Sequence, residues 1–123
     1  MTDATTKFFE ELGKRGTEPL VSRAKGAVRF ELLDGRRKES WLVRIDRGAI
    51  AVSRDGGDAD LVVRGERKLF DEIAVGKVNV VAARLRGAIH TEGDMRLAVL
   101  LQRLFPAPPR SRRGKDTTVR KLR

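Results

Sequence analysis

His90 is the only histidine in the chain, and there is no cysteine. The side chains that most often serve as general base, thiolate nucleophile or soft metal ligand therefore reduce to a single imidazole. In an extended segment His90 falls opposite its apolar neighbour Ile89, which puts it on the solvent side of a half-buried strand, and no partner for it can be picked out by spacing. Asp55, Asp58 and Asp60 offer carboxylates of the kind calcium takes, but their order does not fit the EF-hand loop, and a solvated turn accounts for them. Ser22, Ser40, Ser53 and Ser111 lack the flanking glycines of a nucleophile elbow. No glycine-rich loop is present that would cradle a phosphate. Covalent chemistry is the least supported class of function, and the residues require no cofactor.

The chain is rich instead in apolar side chains at regular spacing. Phe8, Phe9 and Leu12 recur at helical intervals between Thr5 and about Lys14, and Pro19 suits the first turn of a second short helix. Val28, Phe30 and Leu32 alternate with Arg29 and Glu31, and Trp41, Val43 and Ile45 alternate with Arg44 and Asp46. Ile50 with Val52, and Leu61 with Val63, each lie on one side of a further run. A period of two, with one greasy and one charged face, predicts a sheet covered on one side and wet on the other. Asp46-Arg47-Gly48 predicts a tight hairpin, while Asp34-Gly35 and Asp55-Gly56-Gly57 predict looser turns.

Beyond Arg64 the period becomes helical. Leu69, Phe70 and Ile73 share a face up to Gly76, and Val80, Val81 and Leu85 form a second short helix before Gly87. Residues 88–91 read as a strand and Glu92-Gly93-Asp94 as an acidic turn. A helix over 95–105 follows, with Leu97, Leu100, Leu101, Leu104 and Phe105 on one face and Asp94 as its cap. The order is helix, four strands, two helices, strand, helix, which makes an α+β domain.

A chain of 123 residues holds a single core, and 40% apolar content suits a globular protein. No apolar run approaches the roughly 18 residues of a membrane span. The polar start with Asp3 does not read as a secretory signal. Of the net charge of +10, residues 106–123 carry +6, from Arg110, Arg112, Arg113, Lys115, Arg120, Lys121 and Arg123 against Asp116. Pro106, Pro108 and Pro109 stop the preceding helix. Residues 1–105 are thus expected to fold, and 106–123 to form a disordered basic tail.

This order, and the residues that fill it, resemble the sterol carrier protein type two family over roughly residues 5–106. The likeness rests on Phe8-Phe9-Glu10, Val28-Arg29-Phe30-Glu31-Leu32, Ser40-Trp41, Gly76-Lys77, Gly87, Glu92-Gly93-Asp94 and Leu97 through Phe105. It implies a five-stranded mixed sheet with helices packed on one face, enclosing a hydrophobic tunnel. It further implies binding of a sterol, fatty acid or fatty acyl-CoA without its transformation. Family members of eukaryotes end in a peroxisomal address such as Ser-Lys-Leu. This chain ends Lys121-Leu122-Arg123 and carries an arginine-rich tail foreign to the family domain, which points to a cytoplasmic, bacterial setting.

On that resemblance the tunnel wall is assigned to Phe9 and Leu12 from the first helix, and to Phe30, Leu32, Trp41 and Val43 from the sheet. Phe70, Ile73, Val81 and Leu85 from the middle helices, and Met95, Leu101, Leu104 and Phe105 from the last, complete it. The alternative is that the same residues fill a solid core. A modest ligand pocket is about 300 Å³. Left empty, at roughly 24 cal/mol per Å³, it would cost about 7 kcal/mol, which rivals the stability of a whole domain at about 5–15 kcal/mol. Either a lipid fills such a tunnel or the space closes, leaving a scaffold or interaction module that keeps the fold. The basic tail admits three readings. It could dock on anionic membrane, it could contact nucleic acid without base stacking since it has no aromatic residue, or it could act as a solubilising extension.

Overall fold

The computed structural model describes residues 4–54 and 57–106. The expected basic tail, with Arg110, Arg112, Arg113, Lys115, Arg120, Lys121 and Arg123, lies outside the described residues, as does Asp55. Helix α1 spans Ala4–Arg15, followed by a 3-10 turn at Pro19–Val21. Strands β1 (Lys25–Asp34), β2 (Arg37–Asp46), β3 (Ala49–Ser53) and β4 (Leu61–Glu66) come next. Helices α2 (Arg67–Ala74) and α3 (Val80–Leu85), strand β5 (Ile89–Gly93) and helix α4 (Met95–Leu101) complete the order, with a last 3-10 turn at Gln102–Leu104. The succession is the one that the change of period from two to helical predicts.

The sheet runs β3-β2-β1-β4-β5. All neighbours are antiparallel except β1 and β4, which are parallel, so the sheet is mixed. Register carries the alternation across it. Phe30 lies beside Trp41 on one flank and Val63 on the other, and Val28 beside Val43 and Leu61. These residues share one face and join Phe9, Leu12, Phe70, Ile73, Leu97 and Leu101 of the helices in a continuous core. All five phenylalanines and the single tryptophan belong to one aromatic cluster. Within it Phe9 stacks on Trp41 at 4.9 Å between ring centroids, and Phe8 on Phe105 at 4.7 Å.

Four local readings of the sequence are refined. The hairpin at Asp46-Arg47-Gly48 has positive φ at both Arg47 (51°) and Gly48 (94°), as a tight two-residue turn demands. The Asp34-Gly35 turn is equally tight, since Asp34 pairs directly with Arg37. Glu92-Gly93 is not a turn, because β5 runs through Gly93 and α4 starts at once behind Asp94, whose carboxylate accepts from the Arg96 N–H at 2.9 Å. The last helix leaves α geometry at Leu101 and tightens into a 3-10 turn, because Pro106 cannot continue it and disfavours helical backbone at Phe105.

The face away from the helices is less wet than its charges suggest. Leu42 is only 1% exposed there, because the connection from β3 to β4 crosses that face. Gly57 lies over Leu42, the Arg29 Nη1 donates to the Gly57 carbonyl at 2.9 Å, and the Ala27 N–H donates to Asp60 Oδ2 at 2.8 Å. Beside it Glu31, 5% exposed, accepts from Arg64 Nε at 2.8 Å and Arg29 Nε at 3.0 Å, with Lys38 Nζ at 3.9 Å. Burial pushes the Glu31 carboxyl up, but these hydrogen bonds and cations outweigh it and hold the group below the ordinary glutamate value. A depressed folded value stabilises the fold fully above the unfolded value, about 4.3, and that stabilisation is lost as pH falls through the folded one. Glu31→Gln is expected to remove about 2 kcal/mol at pH 7 and to flatten the loss of urea resistance below about pH 4. An unchanged acid limb in the variant would contradict this account of Glu31.

Candidate functional site

The helix-covered face is not sealed evenly. Over β3, β2 and β1 the α1 helix seats Phe9 and Leu12, both buried, and is tied to α2 by Thr5, whose hydroxyl donates to Asp71 Oδ1 at 2.6 Å. Over β4 and β5 the cover is thinner. The α3 helix is six residues long and buries only Ala83 fully, and α4 buries Leu97 and Leu101. Between these parts and the sheet lies an apolar cavity of about 30 Å³. Its floor is Phe30, Val63 and Ile89 from the sheet with Phe70 from α2. Its cover is Val80 and Arg84 from α3, Ala98 and Leu101 from α4, then Gln102 and Phe105, and Thr91 of β5 reaches one side.

Local sequence dictates this placement. Gly65 in β4 lets the Phe70 ring lie close to the strand, since a Cβ there would stand 3.1 Å from Phe70 Cε2. Asn79 fixes the start of α3, its side-chain oxygen accepting from the Val81 N–H at 2.8 Å and the Ala82 N–H at 3.1 Å. With that start, Val80, Ala83 and Arg84 face inward at i, i+3, i+4.

The residues assigned to a ligand wall from sequence are placed as follows. Phe30, Phe70, Leu101 and Phe105 line the cavity. Phe9, Leu12, Leu32, Trp41, Val43, Ile73 and Leu104 are buried in the continuous core beyond it. Val81 is half-buried outside the lining, Leu85 is 76% exposed and Met95 is 43% exposed. Sequence reasoning missed Val63, Val80, Arg84, Ile89, Thr91, Ala98 and Gln102. The cap at Asn79 is the signal that locates Val80 and Arg84. Ala83 and Ala98 are too small to mark a face by hydropathy. His90 is exposed and pairs with Arg64 in register, on the sheet face opposite the cavity. Asp60 is committed to the Ala27 N–H, and no group of three metal-ligating side chains occurs among the described residues. No helix among them is long and apolar enough to cross a membrane.

The space is walled by rings and aliphatic groups, with Arg84, Thr91 and Gln102 the polar residues at its border. Comparison with known proteins places the fold. The model of the SCP-2 sterol transfer family matches residues 8–106. The fold superposes on the sterol carrier protein domain 2 of Helicoverpa armigera with a TM-score of 0.67 at 23% identity, covering 83% of this chain and 85% of that one. It superposes on palmitated SCP2L2 of Aedes aegypti with a TM-score of 0.65 at 20% identity, covering 85% and 94%. Hydroxysteroid dehydrogenase-like protein 2 of Xenopus laevis is 24% identical over 99 residues, 79% of this chain. The chain spans about a quarter of that relative's length, 24%.

Proposed function

The chain belongs to the SCP-2 sterol transfer family, and from that membership we propose that it binds and transfers a lipid without covalent chemistry. The ligand occupies the space between β4, β5 and the short helices α3 and α4. The observation that carries the reading is the apolar cavity at that place, in a fold shared with a palmitated relative. The size of the cavity decides how it must work. At about 30 Å³ it is some tenfold below an ordinary ligand pocket. A space that small costs roughly 0.7 kcal/mol, against about 7 kcal/mol for an empty tunnel of ordinary size. The lipid therefore makes its own room by displacing its cover. Helix α3, six residues long with one fully buried side chain, is a lightly embedded part of that cover. Sterol, fatty acid and fatty acyl-CoA remain the candidate ligand classes, and the lysines and arginines of 110–123 are proposed to bring the carrier to anionic membrane.

Native mass spectrometry of the full chain with added palmitate tests the reading. A 1:1 adduct that vanishes under organic denaturation is expected. With it comes a thermal upshift on the order of 10 °C at a hundredfold excess over Kd, because a ligand of the folded state alone stabilises it. No adduct and no upshift, with palmitate or with cholesterol, would contradict it. The small cavity also favours a second reading: an interaction module that keeps the fold without carrying lipid, its basic tail making the partner contacts.

A further inference from the structure

The two edges of the sheet are treated differently. Along β3 the outer side is taken. The Ile50 N–H donates to the Gly16 carbonyl at 2.9 Å, the Glu18 N–H donates to the Gly48 carbonyl at 2.7 Å, and Thr17 bridges Ala49. Along β5, at the other end of the strand order, no backbone hydrogen bond from outside the sheet reaches the strand among the described residues. The Asp94 N–H donates to the Asp60 carbonyl at 2.8 Å. Counted from that bond, the antiparallel register with β4 turns Glu92 and His90 inward and leaves the N–H and C=O of Thr91 pointing outward. An open edge is ordinarily guarded by lysine or proline, and Ile89–Gly93 has neither.

Both sides of this edge suit a copy of itself. On the face away from the helices His90 and Glu92 are exposed, with Thr91 between them. Antiparallel pairing of two copies about Thr91 sets each His90 opposite the other's Glu92, a ring N–H against a carboxylate, twice over. Moving the centre by one residue sets Glu92 against Glu92, or His90 against His90, and gives up both pairs. On the helix side Met95 and Val99 share a stripe of α4 at i, i+4 and are 43% and 48% exposed. Met95 Sδ lies 3.8 Å from the Thr91 hydroxyl, which puts that stripe beside the same edge.

We propose that β5 is a homodimerisation edge, through which two copies of this chain pair antiparallel about Thr91. Two backbone hydrogen bonds between the Thr91 residues, two His90–Glu92 pairs and the stripes of Met95 and Val99 make the contact. The proposal stands apart from the lipid-carrier reading, but it bears on the cavity. Thr91 also lines that space, so the two cavities of a dimer lie on either side of its axis.

Sedimentation equilibrium of the full-length native chain, with amide hydrogen exchange at the same concentrations, tests this. The mass is expected to rise from 13.7 kDa at about 1 µM to near twice that at about 100 µM. Exchange of the Thr91 amide is expected to slow at least about fivefold over that range, while that of Ile50 does not change. A monomer at both concentrations overturns the proposal. So does a dimer in which the Thr91 amide exchanges as fast as in the monomer, since another surface then holds the copies together. Slow exchange at Thr91 that is independent of concentration places a segment of the same chain on the edge and excludes the second copy. His90→Glu is expected to weaken association about tenfold or more by setting carboxylate against carboxylate twice, and adding Glu92→His to restore it. A double variant that stays as weak as His90→Glu alone overturns the register about Thr91.

Discussion

Gly93→Ala is expected to cost at least about 3 kcal/mol, a large share of the stability of an ordinary domain at about 5–15 kcal/mol. Two effects add. The φ of Gly93 is +122°, a region that L side chains rarely enter. A Cβ there would also run into the Asp60 carbonyl oxygen and stand 3.0 Å from Leu61 Cα, both backbone atoms that no rotamer change can move. The close approach has a structural purpose. Gly93 pairs with Leu61, and the next residue, Asp94, donates its N–H to the Asp60 carbonyl at 2.8 Å and caps α4. The glycine lets β5 end against the start of β4 so that α4 turns back over the cavity without a loop. Gly87 makes the control, since its φ is +83° but nothing lies within 4 Å of a Cβ placed there. Gly87→Ala should cost only the backbone strain, about 1 kcal/mol. Urea midpoints of the two variants check this. Equal losses would show that the contact at Asp60 is unimportant.

Phe30→Ala is expected to remove about 3–5 kcal/mol. Phe30 lies on the central strand, 1% exposed, and meets Phe9, Phe70 and Phe105 edge-on at centroid distances of 5.0, 6.0 and 6.1 Å. Those pairs add about 0.5–1.5 kcal/mol each beyond the area they bury. The ring also separates the packed half of the core, under α1, from the cavity under α3 and α4. Its truncation extends the cavity into the core instead of letting the sheet collapse, which puts the loss at the upper end of that range. Phe105→Ala, at a half-buried position at the end of the fold, should cost less than half as much. A Phe30→Ala loss below about 2 kcal/mol in urea unfolding would mean that the helices close over the gap.

Much of this fold is legible in the chain because strand alternation, turn residues and caps are local properties. Trp41, Val43 and Ile45 share a face on parity alone, and Asp94 announces the helix behind it. The phase of α3 follows from its cap more than from its large apolar residues. Val81 and Leu85 are larger than Ala83, but the cap at Asn79 turns Val80, Ala83 and Arg84 inward. The burial of Leu42 and Glu31 on the charged face could not be read, because it depends on where the connection from β3 to β4 crosses the sheet. The volume of the cavity is set by the separation of α3 and α4 from β4 and β5, a long-range quantity with no trace in periodicity.

The central claim is that lipid enters between the β4–β5 side of the sheet and its short-helix cover. Methyl-resolved NMR of the full chain titrated with palmitate tests it most directly. The account predicts saturable shifts at one equivalent, largest at Val63, Val80, Ile89, Ala98 and Leu101, and small at Val21 and Ile50, which are buried but lie outside the cavity lining. Shifts confined to the exposed Leu20 and Leu33, or none at one equivalent, would contradict it.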